Sequence, residues 1–81
     1  MNNEIIKELD KILPVVERVH SDVHPELHEV AKLYTALKEN PRSETFEKLR
    51  TVTSNFTAPD DACPTYKKAY AHLSTLEKDF L

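Results

Sequence analysis

The stretch VHSDVHPEL, residues 19–27, decides how this chain folds. Upstream of it, apolar residues recur at intervals of three and four, which is the pattern of a helix with one apolar face. Ser21 and Asp22 then offer side-chain oxygens that compete for backbone N–H groups, and Pro25 suits the first turn of a helix, whose N–H groups have no partners. The stretch therefore predicts a corner at which one helix ends and a second helix begins.

Outward from this corner, the sequence predicts four amphipathic helices. The first runs from about residue 3 to about residue 20, capped by Asn2 or Asn3, and we expect a kink at Pro14. The others run from Pro25 to about Glu39, from about Pro41 to Asn55, and from Pro64 onward, with Asp60 or Asp61 as the last N-cap. The predicted buried faces are Ile5, Ile6, Leu9, Ile12, Leu13, Val16 and Val19; Leu27, Val30, Ala31, Leu33, Tyr34 and Leu37; Phe46, Leu49, Val52 and Phe56; and Tyr66, Ala69, Tyr70, Leu73, Leu76 and Phe80.

The short connections between these helices indicate an all-α fold, an antiparallel up-down-up-down four-helix bundle that forms a single domain over residues 1–81.

The formal net charge of −3 disfavours nucleic acid as a partner. No apolar run is long enough to cross a membrane, and the N-terminal residues do not follow the order of a signal peptide. A single cysteine cannot form an internal disulfide, so we expect a cytoplasmic protein.

Two separated stretches carry a resemblance to a known family. ERVHSDVHPELHEV, residues 17–30, and TVTSNFTAPDDACPTYKKAYAHLSTLEKD, residues 51–79, resemble the bacterial iron–sulfur cluster repair proteins, a hemerythrin-like di-iron family associated with nitrosative stress. The run NFT-x-P-x-DAC-x-T-[WY] is the most specific part of this match. The resemblance implies a four-helix bundle, in agreement with the periodicity.

The residues that hold iron in that family have no counterparts here. The second helix turns at Asn40 before reaching an H-x-x-x-E pair, and the third-helix histidine aligns with Glu39. The first-helix and fourth-helix histidines would fall just before Met1 and just beyond Leu81. We therefore expect a bundle shortened to its iron-distal half, with no cofactor and no enzymatic activity, because di-iron sites need several His and Glu side chains converging from facing helices.

Two interpretations remain open for the histidines and the cysteine. His20, His24 and Cys63 are candidate metal ligands or redox residues if the DAC segment packs against the corner, since histidine and cysteine suit zinc. Alternatively, His20 is a hydrogen-bonded residue that closes the core, His24 caps a helix and His28 is solvated. No base is expected near Cys63, although a helix N-terminus could still make this thiol sensitive to oxidation.

The sequence thus favours a non-catalytic interaction or regulatory module linked to nitrosative or oxidative stress, with a residual metal-binding or redox-sensing protein as the alternative.

Shortening the bundle would expose the cross-section that the missing turns covered. We expect an apolar patch there, used to bind a protein partner or a second copy in a homodimer, because such patches usually mark interfaces. The residues predicted to form it are Ile5, Ile6, Leu37, Phe80 and Leu81.

Overall fold

The computed structural model describes residues 2–81, and over this range the chain is all-helical. It forms α1 (Asn3–His20), α2 (Glu26–Glu39), α3 (Ser43–Val52) and α4 (Pro64–Phe80), and none of the described residues lies in a strand. Helix α1 packs against α2 and α4, and α2 packs against α3. The radius of gyration is 11.4 Å, close to the value of about 12 Å expected for a compact domain of this length. The predicted all-helical fold is confirmed.

The start of α1 follows the sequence signals, whereas the start of α4 follows them only in part. The side-chain oxygen of Asn2 accepts hydrogen bonds from the backbone N–H groups of Glu4 and Ile5, at 2.9 and 3.3 Å. α1 remains helical through Pro14. Pro64 occupies the first turn of α4 as predicted, but the expected cap was wrong. Cys63 is the N-cap residue and makes no side-chain capping bond. Its sulfur contacts His20, and the Asp61 carboxylate contacts His24.

Helix α3 is shorter than predicted because the chain leaves the helical region before Asn55. Ser54, Asn55 and Phe56 have φ angles of 53°, 63° and 60°, a left-handed conformation that costs roughly 1–2 kcal/mol for each residue that has a Cβ atom. The buried side chain of Thr53 helps to hold this turn. Its hydroxyl donates to the carbonyl oxygen of Leu49 at 2.6 Å and accepts the N–H of Phe56 at 2.8 Å.

One apolar core runs between the helices and contains most of the predicted faces. Both leucines that the periodicity places at its centre, Leu13 and Leu73, are at most 1% exposed. Val19 was predicted to lie on the same stripe but is 60% exposed, because the covered stripe of α1 continues from Val16 to His20, which contacts Tyr66, and Val19 lies to one side of it. The remaining core residues are Leu9, Val16, Leu27, Val30, Tyr34, Leu37, Phe46, Leu49, Ala62, Tyr66, Ala69, Tyr70 and Leu76.

A polar contact joins α1 to α2 at the side of this core. The Tyr34 hydroxyl lies 2.8 Å from Asp10 Oδ1 and 3.1 Å from the carbonyl oxygen of Ile6. The Lys38 ammonium donates to the same Asp10 oxygen at 2.8 Å. These hydrogen bonds, first from Lys38 and then from Tyr34, hold the pKa of Asp10 below its ordinary value of 3.8. The carboxylate form of Asp10 therefore stabilises the folded protein.

We expect Leu73→Ala to lower the free energy of unfolding by about 2–5 kcal/mol, because it removes buried methyl groups and leaves a cavity. Urea denaturation followed by circular dichroism measures the change. Val23→Ala is the control, since Val23 is 70% exposed and its truncation should cost little. Equal losses in the two variants would show that the α4 face is assigned incorrectly.

We expect stability to fall with pH as Asp10 is protonated. Because its folded-state pKa lies below 3.8, the stabilisation is present above that value and is lost as the pH drops through the folded-state pKa. Asp10→Asn should therefore lose less stability than the wild type between neutral and acidic pH, measured by urea denaturation across that range. Asp22→Asn is the control, because the Asp22 carboxylate is exposed and belongs to none of the ion pairs within residues 2–81. The stability of this variant should change with pH as that of the wild type does. Parallel curves for Asp10→Asn and wild type would contradict this assignment.

Candidate functional site

Two segments meet at one end of the molecule, the corner between α1 and α2 and the connection between α3 and α4. His20 Nε2 lies 3.3 Å from Cys63 Sγ. His24 Nε2 lies 3.0 Å from Asp61 Oδ1. Each contact joins the first segment to the second, so His20, His24 and Cys63, which the sequence singled out, are all at this end. We call this pair of segments, residues 20–26 and 57–63, the histidine corner.

Cys63 is positioned by the start of α4 and is only partly buried. Its sulfur is in contact with the His20 ring, so the expectation that no base lies near this thiol was wrong. If the ring proton is on Nδ1, the Nε2 lone pair can accept the S–H hydrogen, and with the other tautomer Nε2 donates to sulfur. The arrangement can therefore hold a thiol proton at a defined nitrogen atom while the sulfur remains within reach of small reagents.

His24 lies between two carboxylates and does not cap a helix with its side chain. In addition to Asp61, its Nδ1 atom lies 3.6 Å from Glu26 Oε2. The ring is mostly covered, with 16% of the side chain exposed, whereas Asp61 is 61% exposed. The Nε2 atom is within hydrogen-bonding distance of Asp61, whereas the 3.6 Å from Nδ1 to Glu26 is too long for a hydrogen bond. The N-cap residue of α2 is Pro25, and no side-chain hydrogen bond caps this helix.

Tyr66 lies beneath both histidines and is fully buried. Its ring centroid is 5.0 Å from that of His20, 5.8 Å from that of His24 and 5.1 Å from that of Tyr70. Within residues 2–81 its hydroxyl meets no partner in a hydrogen bond of good geometry. Burial raises the pKa of Tyr66, the neighbouring Tyr70 hydroxyl opposes this shift, and the charges of Glu26 and Asp61 reinforce it. The hydroxyl thus remains neutral, close to negative charge.

The other two histidines lie outside the histidine corner. His28 is 64% exposed and pairs with Glu17 at 2.8 Å. His72 lies on α4, 3.1 Å from Glu8 on α1. Across residues 2–81, no group of three or more His, Cys, Asp or Glu side chains is arranged to hold a metal ion. The donor set therefore does not fit the di-iron centre that the family resemblance implies.

A cavity of about 440 Å³ opens beside the histidine corner, below the left-handed turn. The rings of Tyr66 and Tyr70 line it together with two carboxylate residues, Glu26 and Asp60. The remaining lining residues are His24, Val52, Thr53, Ser54, Thr57, Ala58 and Pro59. Sequence reasoning missed this cavity, because its walls come from segments that only the folded chain brings together.

The residues of the predicted apolar patch lie at differing depths. Phe80 is 37% exposed and Leu81 is 86% exposed. Ile5 and Ile6 are partly buried against the core. Leu37 is fully buried and contributes no accessible surface. Phe80 also packs on Phe46, with ring centroids 5.2 Å apart.

Comparison with known proteins supplies no relative from which a function could be transferred. No family model matches the chain, and no curated protein or solved structure is significantly similar to it. None of the helices in residues 2–81 is long and apolar enough to cross a membrane.

Proposed function

We propose that this protein is a non-catalytic regulatory module whose Cys63 thiol, held beside His20, senses oxidants or nitrosating agents. The contact of 3.3 Å between Cys63 Sγ and His20 Nε2 carries this proposal. Redox-sensing cysteines are partly accessible and lie near groups that favour loss of the thiol proton. Cys63 is partly accessible, and its sulfur contacts an imidazole nitrogen that can accept a proton.

The reaction with a peroxide illustrates the chemistry. As the thiol sulfur attacks one peroxide oxygen, an S–O bond forms, the O–O bond breaks, and the leaving oxygen takes up a proton to become water or an alcohol. The thiol proton passes to His20 Nε2 and then to the leaving group, so the products are a sulfenic acid and the reduced peroxide. A sulfenic acid is returned to the thiol by other thiols, which suits a reversible signal.

Oxidation of Cys63 would be transmitted through the histidine corner. An oxygen atom added on the imidazole side of the sulfur would displace His20 from its place on the Tyr66 ring, whose centroid lies 5.0 Å from that of the imidazole. The second link between the two segments, from His24 to Asp61, would then be the main one left to hold them together. The expected output is a change in the surface formed by residues 20–26 and 57–63.

We also propose that the four helices form an antiparallel up-down-up-down bundle, and that this bundle is of a shortened hemerythrin-like type, as the sequence indicated. Contacts between helices support the antiparallel order. Asp10, early in α1, meets Lys38, late in α2, whereas Glu17, late in α1, meets His28, early in α2. The link to nitrosative or oxidative stress rests on the resemblance to the iron–sulfur cluster repair proteins and on the thiol site.

We expect His20→Phe to slow the oxidation of Cys63 by hydrogen peroxide about tenfold or more, since positioned general bases contribute at least that much. Phenylalanine keeps a ring against Tyr66 and removes both ring nitrogens. Mass spectrometry of dimedone-trapped sulfenic acid, at a series of times, gives the rate. His28→Phe is the matched control, because His28 is exposed and pairs with Glu17 instead. Equal rates in wild type, His20→Phe and unfolded protein would refute the sensor.

A protein-interaction role at the other end of the bundle is the second proposal. The exposed side chains of Phe80 and Leu81 favour it, with Ile5 and Ile6 continuing the apolar surface. Such a surface can bind a protein partner or a second copy of the chain. The two proposals are compatible, since the thiol and the patch lie at opposite ends of α4.

For the patch, we expect the wild type to form dimers at high micromolar concentration and Phe80→Glu to remain monomeric, because the charge would be buried in the contact. Sedimentation velocity measures both. Val23→Glu serves as the control, since Val23 is exposed within the histidine corner, away from Phe80. Monomers for both the wild type and Phe80→Glu, with unchanged stability, would exclude self-association through this end.

A further inference from the structure

The oxidised form of Cys63 has no resolving thiol within this sequence, that is, no second cysteine to attack its sulfenic acid. The 81 residues contain one cysteine, so an internal disulfide cannot form. A sulfenic acid returns to the thiol by condensing with another thiol and then exchanging the resulting disulfide. The redox cycle that the proposed function requires therefore depends on a thiol from outside these residues.

The two segments of the histidine corner carry carboxylates and neither lysine nor arginine. Residues 20–26 and 57–63 contain Asp22, Glu26, Asp60 and Asp61. The three aspartates are exposed, so their charges face the solvent through which a reagent reaches the sulfur of Cys63. Charges placed in this way raise or lower the local concentration of a charged reagent.

The turn that precedes Cys63 brings two of these charges close to it. The N–H of Ala62 donates to the carbonyl oxygen of Pro59 at 3.0 Å, which closes a tight turn with Asp60 and Asp61 at its tip. Asp61 is two residues from Cys63, so their Cα atoms are at most about 7 Å apart. This separation is below the Debye length of about 10 Å at 0.1 M salt, so salt screens the aspartate charges only in part.

Two cations flank the corner and offset some of this charge. Lys67 lies one helical turn after Cys63, whose carbonyl oxygen accepts its backbone N–H at 3.1 Å, and Arg18 lies just before the corner. Four carboxylates against two cations leave a net charge of −2, with the histidines counted as neutral. Lys68 adds no net charge, because it is paired with Glu8. The field around the thiol therefore attracts cations and repels anions.

We infer that the resolving thiol for oxidised Cys63 is positively charged, and that the corner discriminates against anionic thiols and disulfides. The inference rests on the proposed redox function and names the chemical class of its partner. Two sources supply this chemistry, a small amine thiol and a cysteine flanked by basic residues.

The resolving reaction needs only this thiol. Its sulfur attacks the sulfur of the Cys63 sulfenic acid, an S–S bond forms, the S–O bond breaks, and the hydroxyl group leaves as water with the thiol proton. A second molecule of the same thiol then attacks the mixed disulfide at its own half. That step releases the Cys63 thiol, which regains a proton, and a disulfide of the partner thiol.

Rates of exchange between reduced Cys63 and small disulfides test the inference, since this exchange is the reverse of the release step and has the same encounter. Cystamine carries two positive charges, bis(2-hydroxyethyl) disulfide none, and 3,3′-dithiodipropionate two negative charges. Mass spectrometry at a series of times gives each rate, which is divided by the rate for N-acetylcysteine amide to correct for intrinsic reactivity.

At an ionic strength of about 10 mM, we expect the corrected rates to fall in the order cystamine, bis(2-hydroxyethyl) disulfide, dithiodipropionate. Cystamine should react about tenfold faster than dithiodipropionate, because each unit charge roughly 8 Å away changes the local reagent concentration about twofold at low salt. In 1 M NaCl this ratio should approach one.

A peptide disulfide distinguishes the two sources. The disulfide of N-acetylcysteinyl-arginine amide carries the same two positive charges as cystamine. Faster exchange with the peptide supports a basic segment of a partner protein, whereas equal or slower exchange supports a small amine thiol.

One pair of variants tests the local charge. Asp60→Lys should bring the ratio of cystamine to dithiodipropionate rates close to one, because it removes the net charge of −2. Glu39→Lys makes the same change at the last residue of α2, about 20 Å along that helix from Glu26, and should keep the wild-type ratio. Should Asp60→Lys fold poorly, the loss of the ratio in 1 M NaCl makes the test on the wild type.

The inference is overturned by equal corrected rates at low salt, by faster reaction of dithiodipropionate, by no exchange with any of the disulfides, or by equal effects of the two variants. The thiolate fraction enters all three rates equally and cancels in their ratio. A failure of the charge order is therefore a separate result from a failure of His20→Phe to slow oxidation by peroxide.

Discussion

The packing of the Tyr66 ring beneath the histidine corner is the contact on which the site depends. Tyr66 is held by the core on one side and touches the rings of His20 and His24 on the other. Cys63 precedes Tyr66 by less than one helical turn, so the same helix sets the positions of the sulfur and of the ring. His20 therefore meets the sulfur because Tyr66 supports its ring from below.

Local sequence signals were sufficient for most of the fold. The three-four spacing of large apolar residues identified Leu13 and Leu73 as core, and both are buried. Asn2 and Pro64 marked helix starts correctly, since capping and first-turn preferences act over only a few residues. The failures occur at element ends. Val19 continues the period of α1 but lies beside the covered stripe, which runs on from Val16 to His20, and periodicity does not show which flank of a stripe is covered.

The candidate site was predictable only as a set of residues. The sequence placed His20, His24 and Cys63 at one end of a bundle, and the structure brings them there. It could not show that His20 touches Cys63, because these residues are 43 positions apart and their contact depends on how α1 and α4 pack. Nor could it show the left-handed turn at residues 54–56, because residues with a Cβ atom rarely adopt that conformation in succession. Asp61 looked like a helix cap by local rules, and its contact with His24 overrides them.

The physical picture is of a conventional apolar core with an unusual polar end. A capped α1, a continuous core and cross-helix ion pairs account for stability by ordinary means. At and beside the histidine corner, a buried tyrosine, a strained turn and a thiol against an imidazole occur together. Departures from local rules of this kind concentrate at functional sites, which is why we propose the function at this end.

The most direct test of this account is a nuclear Overhauser measurement between the ring hydrogens of His20 and the β hydrogens of Cys63, in reduced protein in solution. A separation of 3.3 Å between Nε2 and Sγ predicts a clear cross-peak, together with cross-peaks between the rings of His20 and Tyr66. Absence of the His20–Cys63 cross-peak, in a sample that shows the Tyr66–Tyr70 cross-peaks expected from the packed core, would contradict it.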